Sequence, residues 1–578
     1  MIGLTSGSFN IGGPIIKNKT SFNASVRRSW LDIISIPTLA IINKKKEADG
    51  EKTIARYAFT DLNLKLKHHF NNRSEAYINF YFGQDILRFG KEEFYKIENE
   101  SYQKEDINKL RWGNILVASG WKYKYNNKLS SDITASYVNY SSDLRRNIYD
   151  ISGQEGTDSY ENISIENLTR NGINDFSLKA DFNYSPNSPH TILFGANFTH
   201  HRFRPEYVES ISNVENFIYD NTKSNQTLPA NEFSIYIEDE WKIIPALSAN
   251  IGIRMGLFNI QEKFFLSVDP RFSTRLLLSP HLSLKASYSR MNQYMQQVSE
   301  SYISLPTDFW VPVTKRQKPL TSDQISAGIY YNYNNAYSFS IEGYYKWMDN
   351  LLDYKDGYTF LPNGTNWEDK LTSGRGWSYG TELIITKETG KLTGHIGYGL
   401  MWSDRKFKEI NEGKRFPSRY DNRHKLNIVA NWKVNKKIEL NASWIYMTGN
   451  RFTVSLENYL EAQYSGLSPE LIPTEISSIS GIDYYEQKNN FRLPSYHRLD
   501  MGINIYQPKK KGRMGIWNVS VYNTYCRMNP ISVSKEIDFI FPIITDGSTN
   551  PRNLPADKSF KTFSIFPIIP SVSYTYKF

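Results

Sequence analysis

The sequence predicts an all-β protein, a transmembrane antiparallel β-barrel, from three observations: abundant aromatic side chains, period-2 alternation along the whole chain, and connections that alternate between short and long. Aromatic residues make up 15% of the 578 positions, with 40 Tyr, 32 Phe and 12 Trp, whereas Leu-rich stretches at helical spacing are scarce. No run of about eighteen apolar residues exists to build a transmembrane helix. The most apolar window, Ile33 to Ile42, is short and contains Pro37. A mean hydropathy of −0.53 is compatible with a membrane wall, because a barrel strand shows lipid only every second residue.

The alternation is clearest where Leu282, Leu284, Ala286 and Tyr288 fall on one face and Ser283, Lys285, Ser287 and Ser289 on the other. Ile438, Leu440, Ala442, Trp444 and Tyr446 alternate in the same way with Glu439, Asn441 and Ser443, and Ile325, Ala327 and Ile329 repeat the pattern. Soluble sandwiches alternate too, so strand and loop lengths must arbitrate. Many strands run for about ten residues or more, enough to cross a bilayer at a tilt.

Short connections are expected at Lys17–Thr20, Phe70–Arg73, Asn126–Lys128, Ser185–Ser188, Ile243–Ala246, Ser279–His281, Asn332–Asn335, Glu388–Gly390, Asn435–Lys437 and Lys509–Gly512, all rich in turn residues. Long ones are expected at Leu31–Arg56, Leu87–Lys109, Arg204–Ala230, Met291–Pro319, Asp353–Ser373, Thr448–Ser495 and Arg527–Lys558. Short periplasmic turns with long extracellular loops are the asymmetry of an outer-membrane barrel. Counting this way gives about twenty-one strands, near the twenty-two of large plugged transporters and beyond the porins. With Lys17–Thr20 periplasmic, the strand Phe9 to Ile16 runs downward, and Met1 to Gly7 is too short for the upward strand that should precede it. The expectation is one barrel domain over residues 1–578, with most of its first strand missing.

At the other end Val572, Tyr574, Tyr576 and Phe578 share one face and finish on an aromatic residue, a signal of the kind the barrel-assembly machinery reads. That closing strand is expected to run unbroken from about Ser559, because a turn at Pro567 to Pro570 would leave the terminus on the wrong side of the membrane.

The formal charge of +10 comes from Lys and Arg spread along the whole chain, and the runs Lys44–Lys46 and Lys509–Lys511 fall in connections. No nucleic-acid face is expected. The partner implied is outer-membrane lipid. Cys526 is the single cysteine, which leaves no intramolecular disulfide and no Cys-based metal motif. The start, Met1 to Gly7, lacks the basic residues and apolar core of a secretion signal, so either the protein stays inside the cell or its beginning lies upstream.

Several segments carry a family resemblance. Ser234-Ile-Tyr-Ile-Glu-Asp-Glu-Trp241 followed by Leu247 to Arg254 resembles the mid-barrel signature of TonB-dependent outer-membrane receptors. Val268 to Phe272, Leu284 to Arg290, Phe416 to His424, Leu493 to Asp500 and Gly12 to Thr20 resemble the Bacteroidetes-type branch, whose members often carry a carboxypeptidase-regulatory-like domain before the plug. The resemblance implies a Gram-negative outer-membrane barrel for energised uptake of a ligand too large or scarce for porins: a chelate, a glycan or a peptide. It also implies a plug and a TonB box, through which the TonB complex acts. Neither is expected in this chain, so coupling to that complex would need a plug from elsewhere. A surface lipoprotein is a further possible partner.

No Gly-x-Ser-x-Gly elbow, His-Glu-x-x-His helix, P-loop or dinucleotide glycine motif is present, and neither an enzyme nor a cofactor is expected. Neighbours on a strand point to opposite faces, so His68 and His69, or His200 and His201, would not close on one metal ion. His424 has acidic and basic neighbours suited to a rim network where a loop re-enters the wall. For ligand contact the candidates are Tyr302, Phe309 and Trp310 in one loop, with Lys315 and Arg316, and Tyr358 and Trp367 in the next, beside Tyr354, Phe360 and Trp377. An interfacial belt or loop packing is the alternative for these aromatics. A passive porin is the alternative function and requires a complete strand set with a constricting loop folded inward. A barrel-scaffold enzyme or adhesin, the second alternative, requires a catalytic set or a dominant external domain.

Overall fold

A computed structural model describes residues 5–46, 50–97, 100–154, 160–214, 217–220, 227–298, 308–358, 366–454, 457–467, 473–538, 557–564 and 567–577. The chain forms one antiparallel sheet of 23 hydrogen-bonded segments. Two of these are short side ladders, Phe217–Asp220 and Phe416–Pro417. The remaining twenty-one form the barrel wall, as the count of turns predicts.

The wall begins with β1 (Ser6–Ile16), β2 (Thr20–Ser29), β3 (Glu51–Asn71), β4 (Ser74–Ile97), β5 (Glu100–Lys124), β6 (Leu129–Gln154), β7 (Tyr160–Asn187) and β8 (His190–Val214). It continues through β9 (Leu228–Ile244), β10 (Leu247–Ile260), β11 (Lys263–Ser279), β12 (Leu282–Gln293), β13 (Leu320–Tyr333), β14 (Tyr337–Tyr354), β15 (Leu371–Lys387) and β16 (Leu392–Phe407). It ends with β17 (His424–Lys433), β18 (Ile438–Met447), β19 (Tyr496–Pro508), β20 (Met514–Tyr522) and β21 (Ile569–Lys577). Each strand pairs with its neighbours in chain order, and β1 and β21 both run toward the short-turn end.

All ten short connections form where the turn residues predict them. Asn334 and Asn335, with φ of 49° and 51°, adopt the left-handed conformation that a tight turn between twisted strands requires. Gln261 and Glu262, with φ of 49° and 63°, do the same at the opposite end. There they join β10 and β11 directly, so not every connection on that side is long.

Three expectations are corrected. The Leu31–Arg56 connection contains a helix, α1 (Leu31–Lys46), with Asp32 in its first turn and Lys44 to Lys46 in its last, both favourable to the helix dipole. The Leu87–Lys109 stretch is no loop, since β4 and β5 stay paired out to Ile97 and Glu100. Both faces of a strand that rises into water are polar, so the apolar alternation disappears while the ladder continues. Cross-strand ion pairs such as Lys52–Glu92 (2.5 Å) and Arg146–Asp106 (2.7 Å) hold that part together. Finally, the closing strand does not run unbroken from Ser559. Asp557–Phe563 pairs with Ser532–Asp538 in a separate hairpin, and β21 starts only at Ile569, beyond the missing N–H of Pro567.

The two faces of the wall differ in chemistry. Leu64, Leu66, Ile78, Ile115 and Val117 lie in register on one face and are exposed, whereas Asp61, Asn63, Lys65, Tyr77 and Tyr81 occupy the other. The polar face is the interior, because contacts cross the lumen from it: buried Lys370, next to β15, reaches Glu206 of β8 at 3.3 Å. On the outside, Trp121, Trp241, Trp432 and Trp517 sit near the short turns, and Tyr345, Tyr379 and Trp402 stack in a row near the other end, 5.7 and 5.4 Å between rings. These are the two aromatic girdles of a membrane barrel. Trp377 is part of the upper one, on β15 just beyond the loop and beneath the Arg415 guanidinium at 4.8 Å. Val572, Tyr574 and Tyr576 share the outward face of β21, with Tyr574 packed on Trp517 at 4.7 Å. Phe578 lies outside the described residues.

Candidate ligand vestibule

The interior wall is built for water and polar solute. Tyr hydroxyls donate across it to carboxylates, Tyr236 to Asp181 at 2.6 Å and Tyr77 to Asp132 at 3.2 Å, and the Lys285 ammonium lies 3.8 Å from the Tyr330 ring centre. Among the described residues no group of three or more His, Cys, Asp and Glu side chains is placed to hold a metal ion. The histidine pairs split as strand geometry requires. His200 meets Asn231 at 2.9 Å on one face and His201 meets Asp175 at 2.7 Å on the other.

The connection from β12 to β13 folds inward across the long-loop end. Tyr294 stacks flat on Phe258 of β10 at 4.5 Å and bonds Ser267 at 2.8 Å, and burial pushes its phenol above the ordinary pKa, keeping it neutral. From there Met295–Val298 and Phe309–Pro312 pair as a hairpin. The Asn171 side chain of β7 clamps that hairpin, accepting from the Trp310 N–H at 3.3 Å and donating to its carbonyl at 3.1 Å. Gln296 binds the opposite side, donating to the Asn350 carbonyl at 2.9 Å and accepting from the Leu352 N–H at 3.0 Å. One hydrophobic core results, in which Phe203, Phe258, Val311, Val313 and Trp367 are buried.

Beside this core lies a cavity of about 560 Å³ between the β14–β15, β16–β17 and β18–β19 connections, within the size range of small-ligand sites. Tyr358, Tyr420 and Tyr485 supply flat apolar surface with hydroxyls. Lys355, Arg405, Arg419 and Lys488 outnumber Asp353 and Asp356 along its lining. Arg405 is held by Asp353 at 3.4 Å and Lys488 by Asp356 at 3.9 Å, so most of the charge is oriented before a ligand arrives. Lys355 is held from outside by Glu409 at 3.5 Å. The Thr372 hydroxyl and the neighbouring Lys355 keep the Glu409 carboxyl below its ordinary pKa.

Of the aromatic candidates, Tyr358 lines this cavity and is 37% exposed. Phe309 and Trp367 are buried in the inward-folded core, Trp310 packs against it, and Tyr302 lies outside the described residues. The charged lining was missed by the sequence reading. Arg419 and Tyr420 stood in the quoted Phe416–His424 segment, but their signal was a family motif without direction.

That same segment organises the rim. Asp421, 1% exposed, receives three guanidiniums: Arg492 at 2.8 Å, Arg423 at 3.2 Å and Arg451 at 3.3 Å. Burial, and then Arg451, lower the Arg492 pKa from its ordinary value. His424 does not join this cluster: it lies on the face of Trp432 and shares a hydrogen bond with the Tyr398 hydroxyl at 2.9 Å, not with a charged group. Gly449 passes so close to this junction that a Cβ there would lie 2.0 Å from the Leu493 carbonyl oxygen.

The family described as TonB dependent receptor-like, β-barrel matches residues 50–523. No curated protein matches the chain. Among solved structures, the ferric-catecholate import receptor of Escherichia coli K12 superposes with a TM-score of 0.61 at 10% identity, covering 100% of this chain and 80% of that one. The ferripyoverdine receptor of Pseudomonas aeruginosa gives 0.59 at 11%, covering 99% and 70%. The ferric yersiniabactin uptake receptor of Yersinia pestis gives 0.57 at 11%, covering 100% and 79%.

Proposed function

We propose an uptake function from one premise: the chain belongs to the TonB-dependent receptor β-barrel family, transport receptors that stand in the outer membrane of Gram-negative bacteria. The barrel is the wall and ligand vestibule of a receptor that captures a solute at the cell surface. The observation that carries this reading is the cavity where Tyr358, Tyr420 and Tyr485 meet Lys355, Arg405, Arg419 and Lys488. Preformed cations beside aromatic faces suit a ligand that is both anionic and flat, and a chelate fits better than a neutral glycan or a peptide. The similar structures are receptors for ferripyoverdine, ferric catecholate and ferric yersiniabactin, which favours a metal chelate.

Energised release into the periplasm would run through a plug and TonB box from outside residues 1–578, and a surface lipoprotein could cover the mouth. The segments Val268 to Phe272, Phe416 to His424 and Leu493 to Asp500 favour the Bacteroidetes-type branch, and the aromatic residues of β21 would be the assembly signal. The test is equilibrium binding of a panel of ferric chelates, neutral oligosaccharides and peptides to the purified barrel. Arg419→Ala and Tyr358→Ala should each weaken the ligand that binds. Binding that no cavity substitution changes would overturn the assignment. The inward-folded hairpin also favours a second reading, a passive pore narrowed by its own loop. Planar-bilayer conductance that persists with the ligand bound would select that reading.

A further inference from the structure

The outward face of the wall carries a row of cations that the sheet by itself disfavours. Arg56 lies opposite Arg88, Arg88 opposite Lys109, and Lys109 opposite Arg145. Four positive side chains thus stand side by side across β3 to β6, and like charges directly opposite in a sheet repel. The ladders carry no bulge in this stretch, so the row shares the face of Leu64, Ile78 and Val117, which is the lipid-facing one. All four residues are exposed. Arg145 has Glu166 at 3.1 Å. Among the described residues, no carboxylate pairs with Arg56, Arg88 or Lys109.

Height along the wall locates the row. A strand tilted by about 40° covers the ~25 Å apolar band in roughly ten residues. Arg88 lies fourteen residues beyond Ser74, where β4 leaves its periplasmic turn. The row therefore stands just above the band, at the headgroups of the outer leaflet. It lines a groove of about 680 Å³ together with Arg28, Asp32, Ile86 and Glu105, so five cations there face two carboxylates.

The helix α1 borders the groove on one side. Asp32, held by Arg28 at 3.1 Å, starts α1 at the edge of the groove. None of the residues of α1 is buried, and Ile33, Ile36 and Ile41 are 61%, 50% and 64% exposed. Asn43 of α1 bonds the backbone N–H and carbonyl of Thr53 at 2.9 and 3.1 Å, and Lys46 pairs with Glu51 at 2.8 Å, so the helix rises beside β3 from the groove into the water above the row.

We propose that this groove binds the phosphorylated headgroup of an outer-leaflet lipid. Lipid A is the probe, titrated into the detergent-solubilised full chain and followed by native mass spectrometry. Each cation contributes about fivefold near an anionic surface, so Arg56→Gln, Arg88→Gln, Lys109→Gln and Arg145→Gln together should weaken binding about a hundredfold or more. The interior pair Lys65→Gln and Lys179→Gln, which also removes charge, should leave it unchanged. Should the quadruple variant lose its heat-modifiable migration, Arg88→Gln and Lys109→Gln singly take its place, each with about a fivefold loss. Equal retention of lipid A by the variants, or equal binding of dephosphorylated lipid A, overturns the proposal. Full displacement by millimolar inorganic phosphate also overturns it, because the site would then take free anion and not lipid.

Discussion

Replacing Asp421 with Asn should unlock the rim. The carboxylate is 1% exposed and is the shared partner of Arg423, Arg451 and Arg492, whose side chains are 32%, 23% and 25% exposed. Asn keeps the size and one acceptor but removes the charge, so three guanidiniums gathered on one carboxylate lose their counter-ion. Removing one partner of a buried ion pair costs about 3–5 kcal/mol. Partial exposure of the arginines places this case at the lower end, about 3 kcal/mol, or roughly a hundredfold in the local opening equilibrium. The damage should be local, since the ladders of β17 and β18 are untouched. Hydrogen exchange read by mass spectrometry should accelerate about a hundredfold at 449–453 and 489–493, where Arg451 and Leu493 pair their backbones with Arg419 and Asn450, and stay unchanged in β4 to β6. Exchange altered by less than about fivefold would refute Asp421 as the organiser of the rim.

Asn171→Ala removes both bonds to the Trp310 backbone and should release the inward hairpin, read as faster hydrogen exchange at 309–312 than in the parent. Trp367→Ala should cost about 3–5 kcal/mol of cap stability, seen as earlier local exchange around Leu352 and Leu371, and should weaken ligand uptake through the lost packing. Gly449→Ala forces backbone away from Leu493 and should reproduce the exchange pattern of the Asp421 variant without removing any charge. For Glu409, a carboxyl pKa lowered in the folded state gives a contribution fully present above the ordinary value of 4.5 and lost as pH falls through the lowered value. Ligand affinity of the parent should therefore change on acidification below that point, and Glu409→Gln should flatten the change.

Much of the wall was legible because turns announce themselves by residue type. Asn, Gly, Pro and Ser clusters placed all ten short connections, and strict alternation gave the lipid-facing set. Legibility failed where strands leave the membrane. Above the apolar band both faces of β4 and β5 meet water, the period-2 signal vanishes, and a paired arm reads as a loop. It failed again at the vestibule, for a different reason. Trp367 and Phe309 look like tips offered to a ligand, yet burial in a shared core is decided by contacts with Phe203 and Phe258, more than fifty residues away in sequence. Arg405 and Lys488 join one cavity only because the sheet brings three connections together, a fact no local pattern contains. α1 lies in a stretch that reads as a long connection, because its apolar run is too short to span a membrane and is interrupted by Pro37.

The wall is uneven in height: β4 to β8 have 24 to 28 residues, while β17 to β21 have 9 to 13. On the tall side the upper strands are continuous with the membrane ladders, so bending them strains the sheet below. On the low side the Glu457–Leu467/Pro473–Tyr484 and Ser532–Asp538/Asp557–Phe563 hairpins are bonded within themselves and, among the described residues, share no ladder with the wall. The mouth is cut obliquely, like a scoop with a stiff back and a jointed lip. A solute arriving across the cell surface can move the lip without breaking a single wall hydrogen bond, and the cavity of Arg419 and Tyr420 lies just inside that lip.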